Sequence, residues 1–174
     1  MSTVGKINFE PVSDILPVQR RDFPLADKTL ADPTNVVALV DGEWMTIDAT
    51  NKLVRGAAIG TPGTAATVRT FPLFMERGRA DVQALSGTKT MILWLGDYEF
   101  DTRIFDAAAV VGSGAVIGTM MQPLKVATVT IGARNFVGLV GHGGAADTHP
   151  VVGYVSRLPA TNGSKLRFIK GYRV

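Results

Sequence analysis

This chain is punctuated too often to hold a long helix. Nineteen glycines and nine prolines are spread over 174 residues, and between them the apolar residues come in runs of four to eight. Runs of that length, bounded by turn formers, read as strands. Val36-Val37-Ala38-Leu39-Val40 leads through Asp41-Gly42 into Glu43-Trp44-Met45-Thr46-Ile47. Both turn residues tolerate positive φ, so this stretch predicts a β-hairpin. Asp48 to Asn51 marks a further turn before Lys52-Leu53-Val54-Arg55, and Thr61-Pro62-Gly63-Thr64 a loop before 66–75. Met91-Ile92-Leu93-Trp94-Leu95 is continuously apolar and reads as a strand covered on both faces. From Tyr98 to Phe105 the residues Tyr98, Phe100, Thr102 and Ile104 share one face, with Glu99, Asp101 and Arg103 on the other. Leu124 to Ile131 alternates as well, and 136–140, 151–156 and 165–169 complete the set. The expectation is an all-β fold, a compact β-barrel or β-sandwich, with no internal repeat visible.

The first 35 residues differ from the rest. Pro11, Pro17, Pro24 and Pro33 lie six to nine residues apart, with single apolar residues between them. Proline at that spacing forbids a long helix and discourages a central strand. The apolar content is nevertheless too high for a solvated tail. The reading is an extended N-terminal arm over 1–35, lying on a surface, followed by a β-barrel or sandwich domain over 36–174. An arm of that length reaches roughly 110 Å when extended.

Several function classes fall away on composition. The absence of cysteine removes disulfide frameworks, thiolate metal sites and cysteine nucleophiles. No apolar run approaches the length of a membrane span, and no secretory leader is visible at the start. The expected setting is a protein made in the cytoplasm, without a membrane partner. The net charge of +3 conceals an asymmetry. Arg157, Lys165, Arg167, Lys170 and Arg173 place five positive charges in the last eighteen residues with no acid among them, which leaves −2 on the remainder. A basic end on a mildly acidic body suits an anionic partner or a neighbouring subunit.

No motif assembles an active site. Gly112-Ser113-Gly114-Ala115-Val116-Ile117-Gly118 follows Val110-Val111, but its glycine spacing misses the dinucleotide fingerprint and no amphipathic helix follows, so it reads as a β-turn. Gly141-His142-Gly143-Gly144 has the look of an oxyanion-hole stretch without the nucleophile elbow that would use it. A serine-type hydrolase would need Ser113, His142 and Asp147 together. His142, Asp147 and His149 share one mobile-looking loop, too few ligands for a preorganised metal site. Glu76 to Asp81 mixes charges as a salt-bridged turn does. The tail Lys165 to Val174 interleaves cations and rings, yet strand alternation sends Leu166, Phe168 and Tyr172 inward and Lys165, Arg167 and Arg173 outward. That reads as a last strand with one basic face rather than a base-stacking platform. No cofactor, no metal and no direct nucleic-acid contact are expected.

Together these segments resemble the head decoration (cement) proteins of tailed bacteriophages. The resemblance lies in the arm followed by Ala38-Leu39-Val40-Asp41-Gly42-Glu43-Trp44, the Lys52-Leu53-Val54-Arg55 strand and the stretch from Pro72 to Gln83. Near the end, Gly153 to Ala160 precedes Lys165-Leu166-Arg167-Phe168. It covers most of Val36 to Val174 through structural rather than catalytic motifs. It implies a non-enzymatic virion protein on the outer capsid surface, a homo-oligomer and commonly a trimer, that staples subunits of the major capsid protein around packaged DNA. The expected partner contacts are Ile7, Phe9, Ile15, Leu16 and Phe23 in the arm, with Arg167, Lys170 and Arg173 of the basic tail as a second contact. A tail or baseplate β-module of the same virion is the alternative, and a serine-type hydrolase a third.

Overall fold

The computed structural model describes residues 9–11, 20–27, 29, 39–40, 42–48, 50, 52–55, 70–74, 90–94, 99–160 and 164–173. Among them the regular structure is almost all strand, with a long irregular stretch between Arg103 and Gln122. In order these are β1 (Phe9–Pro11), β2 (Arg20–Pro24), β3 (Trp44–Ile47), β4 (Leu53–Arg55), β5 (Thr70–Phe74), β6 (Thr90–Trp94), β7 (Glu99–Thr102), β8 (Pro123–Ile131), β9 (Arg134–Gly141), β10 (Val151–Arg157) and β11 (Leu166–Arg173). A 3-10 turn, Gly144–Ala146, precedes β10. The fold is all-β, as the punctuation predicts.

The strands form two sheets, ordered β2-β6-β5-β3-β4 and β1-β7-β11-β10-β8-β9. With β1 set aside, the second order is the first repeated. Every ladder within both sets is antiparallel. The correspondence extends to the way each sheet curls. Leu25, directly after β2, forms a parallel bridge with Leu53 of β4; Phe105, just after β7, forms one with Leu139 of β9. In each case the next residue donates to the bridged leucine, Ala26 N–H to the Leu53 carbonyl at 2.9 Å and Asp106 N–H to the Leu139 carbonyl at 3.0 Å. Both leucines are fully buried. Among the described residues the chain therefore contains the same five-strand module twice, each brought edge to edge by a bridge rather than closed into a barrel by a full ladder.

The second module is the larger. Its β8–β9 hairpin pairs from Leu124↔Gly141 to Ile131↔Arg134 around a Gly132-Ala133 turn, with Gly132 at φ 64°. Strand alternation gives this hairpin two apolar faces. Leu124, Val126, Val137 and Leu139 join Phe100, Val152, Val155, Leu166 and Phe168 in the main core. On the opposite face Val129, Phe136 and Val140 pack with Ile104 under the irregular segment that follows β7. Close approach of that segment explains Gly138, where a Cβ would come within 2.5 Å of the Ile104 carbonyl oxygen.

Two residues at the start of β3 join the modules. Trp44, fully buried, belongs to the second module's main core, its ring 6.1 Å from that of Phe168. Its indole N–H has no acceptor among the described residues, so its contribution comes from buried area. Glu43, also fully buried, accepts from Arg55 of β4 at 2.7 and 3.1 Å and from the Val137 N–H of β9 at 3.2 Å. One carboxylate thus bonds a strand from each module.

Three expectations are corrected. A turn at Gly42 is present, with Gly42 at φ 83° and the Glu43 N–H on the Val40 carbonyl at 3.1 Å; Asp41 lies outside the described residues. The predicted hairpin onto β3 is not seen, because β4 and β5 occupy both edges of β3, and 36–38 of the expected partner strand lie outside the described residues. Residues 1–35 are not wholly a free arm. The stretch Phe9–Pro11 pairs with β7 and Arg20–Pro24 with β6. Both are edge strands, the positions that tolerate proline. And the repeat, absent from the sequence reading, is plain in the strand order.

Candidate functional site

The densest polar cluster of the described residues lies where β8 meets the loop between β9 and β10. Lys125 shares its strand face with Ala127 and Val129, so alternation drives its side chain inward, and it is 1% exposed. Its ammonium donates to the Val111 carbonyl and to Asp147 Oδ2, each at 2.6 Å. Asp147 follows the 3-10 turn and is itself buried. Its carboxylate accepts from Lys125, from the Gly143 N–H at 3.1 Å, and at Oδ1 from the His149 backbone N–H at 3.1 Å and ring Nδ1 at 2.6 Å. Burial pushes the Asp147 carboxyl upward, but the bonds from Lys125, Gly143 and His149 outweigh it and hold it far below the ordinary carboxylate range.

His142 stands beside this cluster without joining it. Its Nδ1 accepts the Gly144 N–H at 3.0 Å, which leaves the proton on Nε2 to meet the His149 carbonyl at 2.9 Å. Both ring nitrogens are thereby engaged in shaping the loop. The neighbouring turn fits closely: Gly114 N–H bonds the Val111 carbonyl at 3.0 Å with Gly112 at φ 59°, and a Cβ on Gly143 would overlap the Ser113 carbonyl. So Ser113, His142 and Asp147 do belong to adjoining loops, but they do not form a relay. Asp147 bonds Lys125 and His149 instead of His142, and no ring nitrogen of His142 is left for Ser113. Among the described residues, no three His, Asp or Glu side chains form a group suited to a metal ion.

A second feature faces outward. From Ala107 to Gln122 there is no charged residue, and Val110, Val116, Met120 and Met121 are each more than half exposed. The ridge is held firmly from below. Gln122 accepts from the Gly118 and Thr119 N–H groups at 2.8 and 3.3 Å and donates to the Val116 carbonyl at 2.7 Å. Met121 N–H bonds the Val155 carbonyl at 2.7 Å. Met121 is also the one non-glycine residue with positive φ among the described residues, at 57°. That conformation costs roughly 1 kcal/mol for a side-chain-bearing residue, so the surrounding hydrogen bonds impose it.

The expected contact residues lie elsewhere. Ile7, Ile15 and Leu16 fall outside the described residues, and Phe9 lies in β1 opposite Thr102. Phe23 is buried within its own chain, 7% exposed, which removes it as an outward anchor. Arg167 grips Asp101 through Nε at 2.8 Å and Nη2 at 3.0 Å. Burial raises the Asp101 carboxyl, but Arg167, then Arg157 and Lys165, bring it below its ordinary value. Lys170 is buried, 3% exposed, because period two puts it on the inner face with Leu166 and Phe168. Arg173 ends β11 opposite Val151. The basic tail is therefore partly internal, and Lys170 is corrected as a surface contact. Sequence reading missed Lys125 altogether; the available signal was a cation on the apolar parity of an alternating strand.

No protein-family model matches the chain, and searches of curated proteins and of solved structures return no similar chain.

Proposed function

We propose that this chain is a structural protein of a tailed-bacteriophage head. In this reading it binds the outer face of the major capsid protein and staples neighbouring subunits as a homo-oligomer, a trimer by analogy with the decoration proteins it resembles. The observation that supports it best is the uncharged ridge Val110–Met121: large apolar side chains held outward, Met121 at the cost of backbone strain, on a body whose described buried carboxylates are each paired with a cation. Strain of this kind accompanies functional contacts, and an apolar ridge without charge suits burial against another protein. Repetition of modest contacts over a symmetric shell then multiplies their effect.

Removing 1–35 would take β1 and β2 out of the sheets, so truncation is a poor test. Met121→Gly is cleaner, because glycine prefers the conformation that Met121 is forced into. Paired with Met120→Ser, it is expected to leave thermal stability unchanged and to weaken binding to undecorated heads at least about tenfold. Undiminished binding by a folded variant would sink the ridge as the contact. Copy number decides the wider reading: a count approaching that of the capsid protein supports a decoration protein, and a few copies per particle a tail or baseplate module.

A further inference from the structure

Of the buried ion pairs, Lys125–Asp147 differs in chemistry. The Glu43 and Asp101 carboxylates are held by guanidinium groups, which do not act as nucleophiles. Lys125 is an amine, and an amine without its proton attacks carbonyl carbon. Its side chain and that of Asp147 are 1% and 0% exposed, and Nζ lies 2.6 Å from Oδ2. The Val111 carbonyl fixes the amine from the other side at 2.6 Å. The second carboxyl oxygen, Oδ1, faces two N–H donors of His149 at 2.6 and 3.1 Å. These are the elements of an acyl-transfer site with water shut out: a held nucleophile, an acceptor carbon beside it, and donors aimed at the oxygen where negative charge would develop.

We propose that Lys125 and Asp147 condense to an intramolecular isopeptide bond linking β8 to the loop before β10. A proton first passes from Nζ to Oδ2 across their 2.6 Å contact, which turns two buried ions into a neutral amine and a carboxylic acid without changing the net charge. The amine lone pair then attacks Cγ, and the charge arriving on Oδ1 is met by the His149 ring N–H and backbone N–H. As the adduct collapses, the Cγ–Oδ2 bond breaks and Oδ2 takes a second proton from the nitrogen, leaving as water. The three ammonium protons end as one amide proton and two on that water, and nothing is oxidised or reduced. His149 is a positioning residue, orienting the carboxyl and stabilising the adduct. The ion pair is the resting form, so condensation is a slow, single event after folding. A chain without cysteine would gain in this way a covalent tie across the β8–β9 hairpin. The inference stands on this cluster alone, whether or not the chain binds a capsid.

Intact-mass measurement of the purified full-length chain tests it, after prolonged incubation at neutral pH and then denaturation. The expected mass is one water below that of the sequence. Proteolysis should release a branched peptide joining the Lys125 segment to the Asp147 segment. Lys125→Arg preserves the ion pair but not the nucleophile, and should restore the full mass. His149→Gln should slow the loss of water at least about tenfold, the scale on which removal of an oxyanion donor acts. A wild-type chain that keeps its full sequence mass overturns the proposal. A loss of water that persists in Lys125→Arg also overturns it, since that would be cyclisation of an aspartate on its own backbone.

Discussion

The two modules share a strand order and a bridging leucine but not a way of being stable. In the first, β3 and β4 are four and three residues long, and its Trp44 contributes to the other module's core. In the second, β8 and β9 run nine and eight residues, and the hairpin they make is buried on both faces over the half away from its turn. The comparison separates topology from stability. Strand order is set by which edges meet, and short strands suffice for that. Stability follows buried apolar area, which the long hairpin supplies and the first module obtains partly by inserting its tryptophan next door.

The largest test of that dependence is Glu43→Ala. It leaves the Arg55 guanidinium and the Val137 N–H without the carboxylate that bonds both, and should cost about 3 kcal/mol. The urea midpoint should fall with a single transition retained. A loss below about 0.5 kcal/mol, or two separate transitions, would mean that the modules are not coupled through this residue. An intermediate effect is expected inside the second module. Gly138→Ala drives a methyl against the Ile104 carbonyl and the Val129 side chain, at about 2 kcal/mol. Gly132→Ala, in open space at positive φ, should cost nearer 1 kcal/mol. Equal losses at the two sites would deny that the segment after β7 is tightly seated.

The smallest effect concerns acid. Asp101, and Asp147 while its carboxyl is still free, both lie below their ordinary carboxyl values in the folded chain. Their contribution is therefore complete above the unfolded value, near pH 4, and is lost as pH falls through the lower folded values. Amide exchange in β7–β11 should begin to rise below about pH 4. The lowered carboxyls of the first module, Asp27 and Asp48, sit in exposed turns bonded to Thr29 and to Lys52 and Thr50. Their titration should affect β2–β4 less. Equal acid sensitivity in both modules would contradict this.

Much of the second module was legible in the sequence. Alternation in Leu124 to Ile131 gave β8, and the inward parity of Leu166 and Phe168 gave the last strand. The glycines at 112 and 114 gave a turn rather than a phosphate loop. All of these are local signals. The repeat was not legible, because the modules share edge pairings rather than residues, and strands of three residues carry little periodicity. Prolines concealed β1 and β2 for a related reason: an edge strand keeps one side free, so a missing N–H there breaks no ladder. The cluster was half visible. His142, Asp147 and His149 attracted attention as titratable residues in one loop, but Lys125 is 22 positions away from Asp147, and only the hairpin brings it back. Lys170 failed because the basic residues of the tail were read as one surface although alternation divides them.

The tryptophan at the joint bears on synthesis. A ribosome releases residue 44 long before residue 168, so the indole has no partner ring while most of the polypeptide is still being made. The early half must wait, incomplete, for the late half to emerge. A stalled or shortened product would expose an aromatic surface that quality-control machinery recognises, and only full translation conceals it.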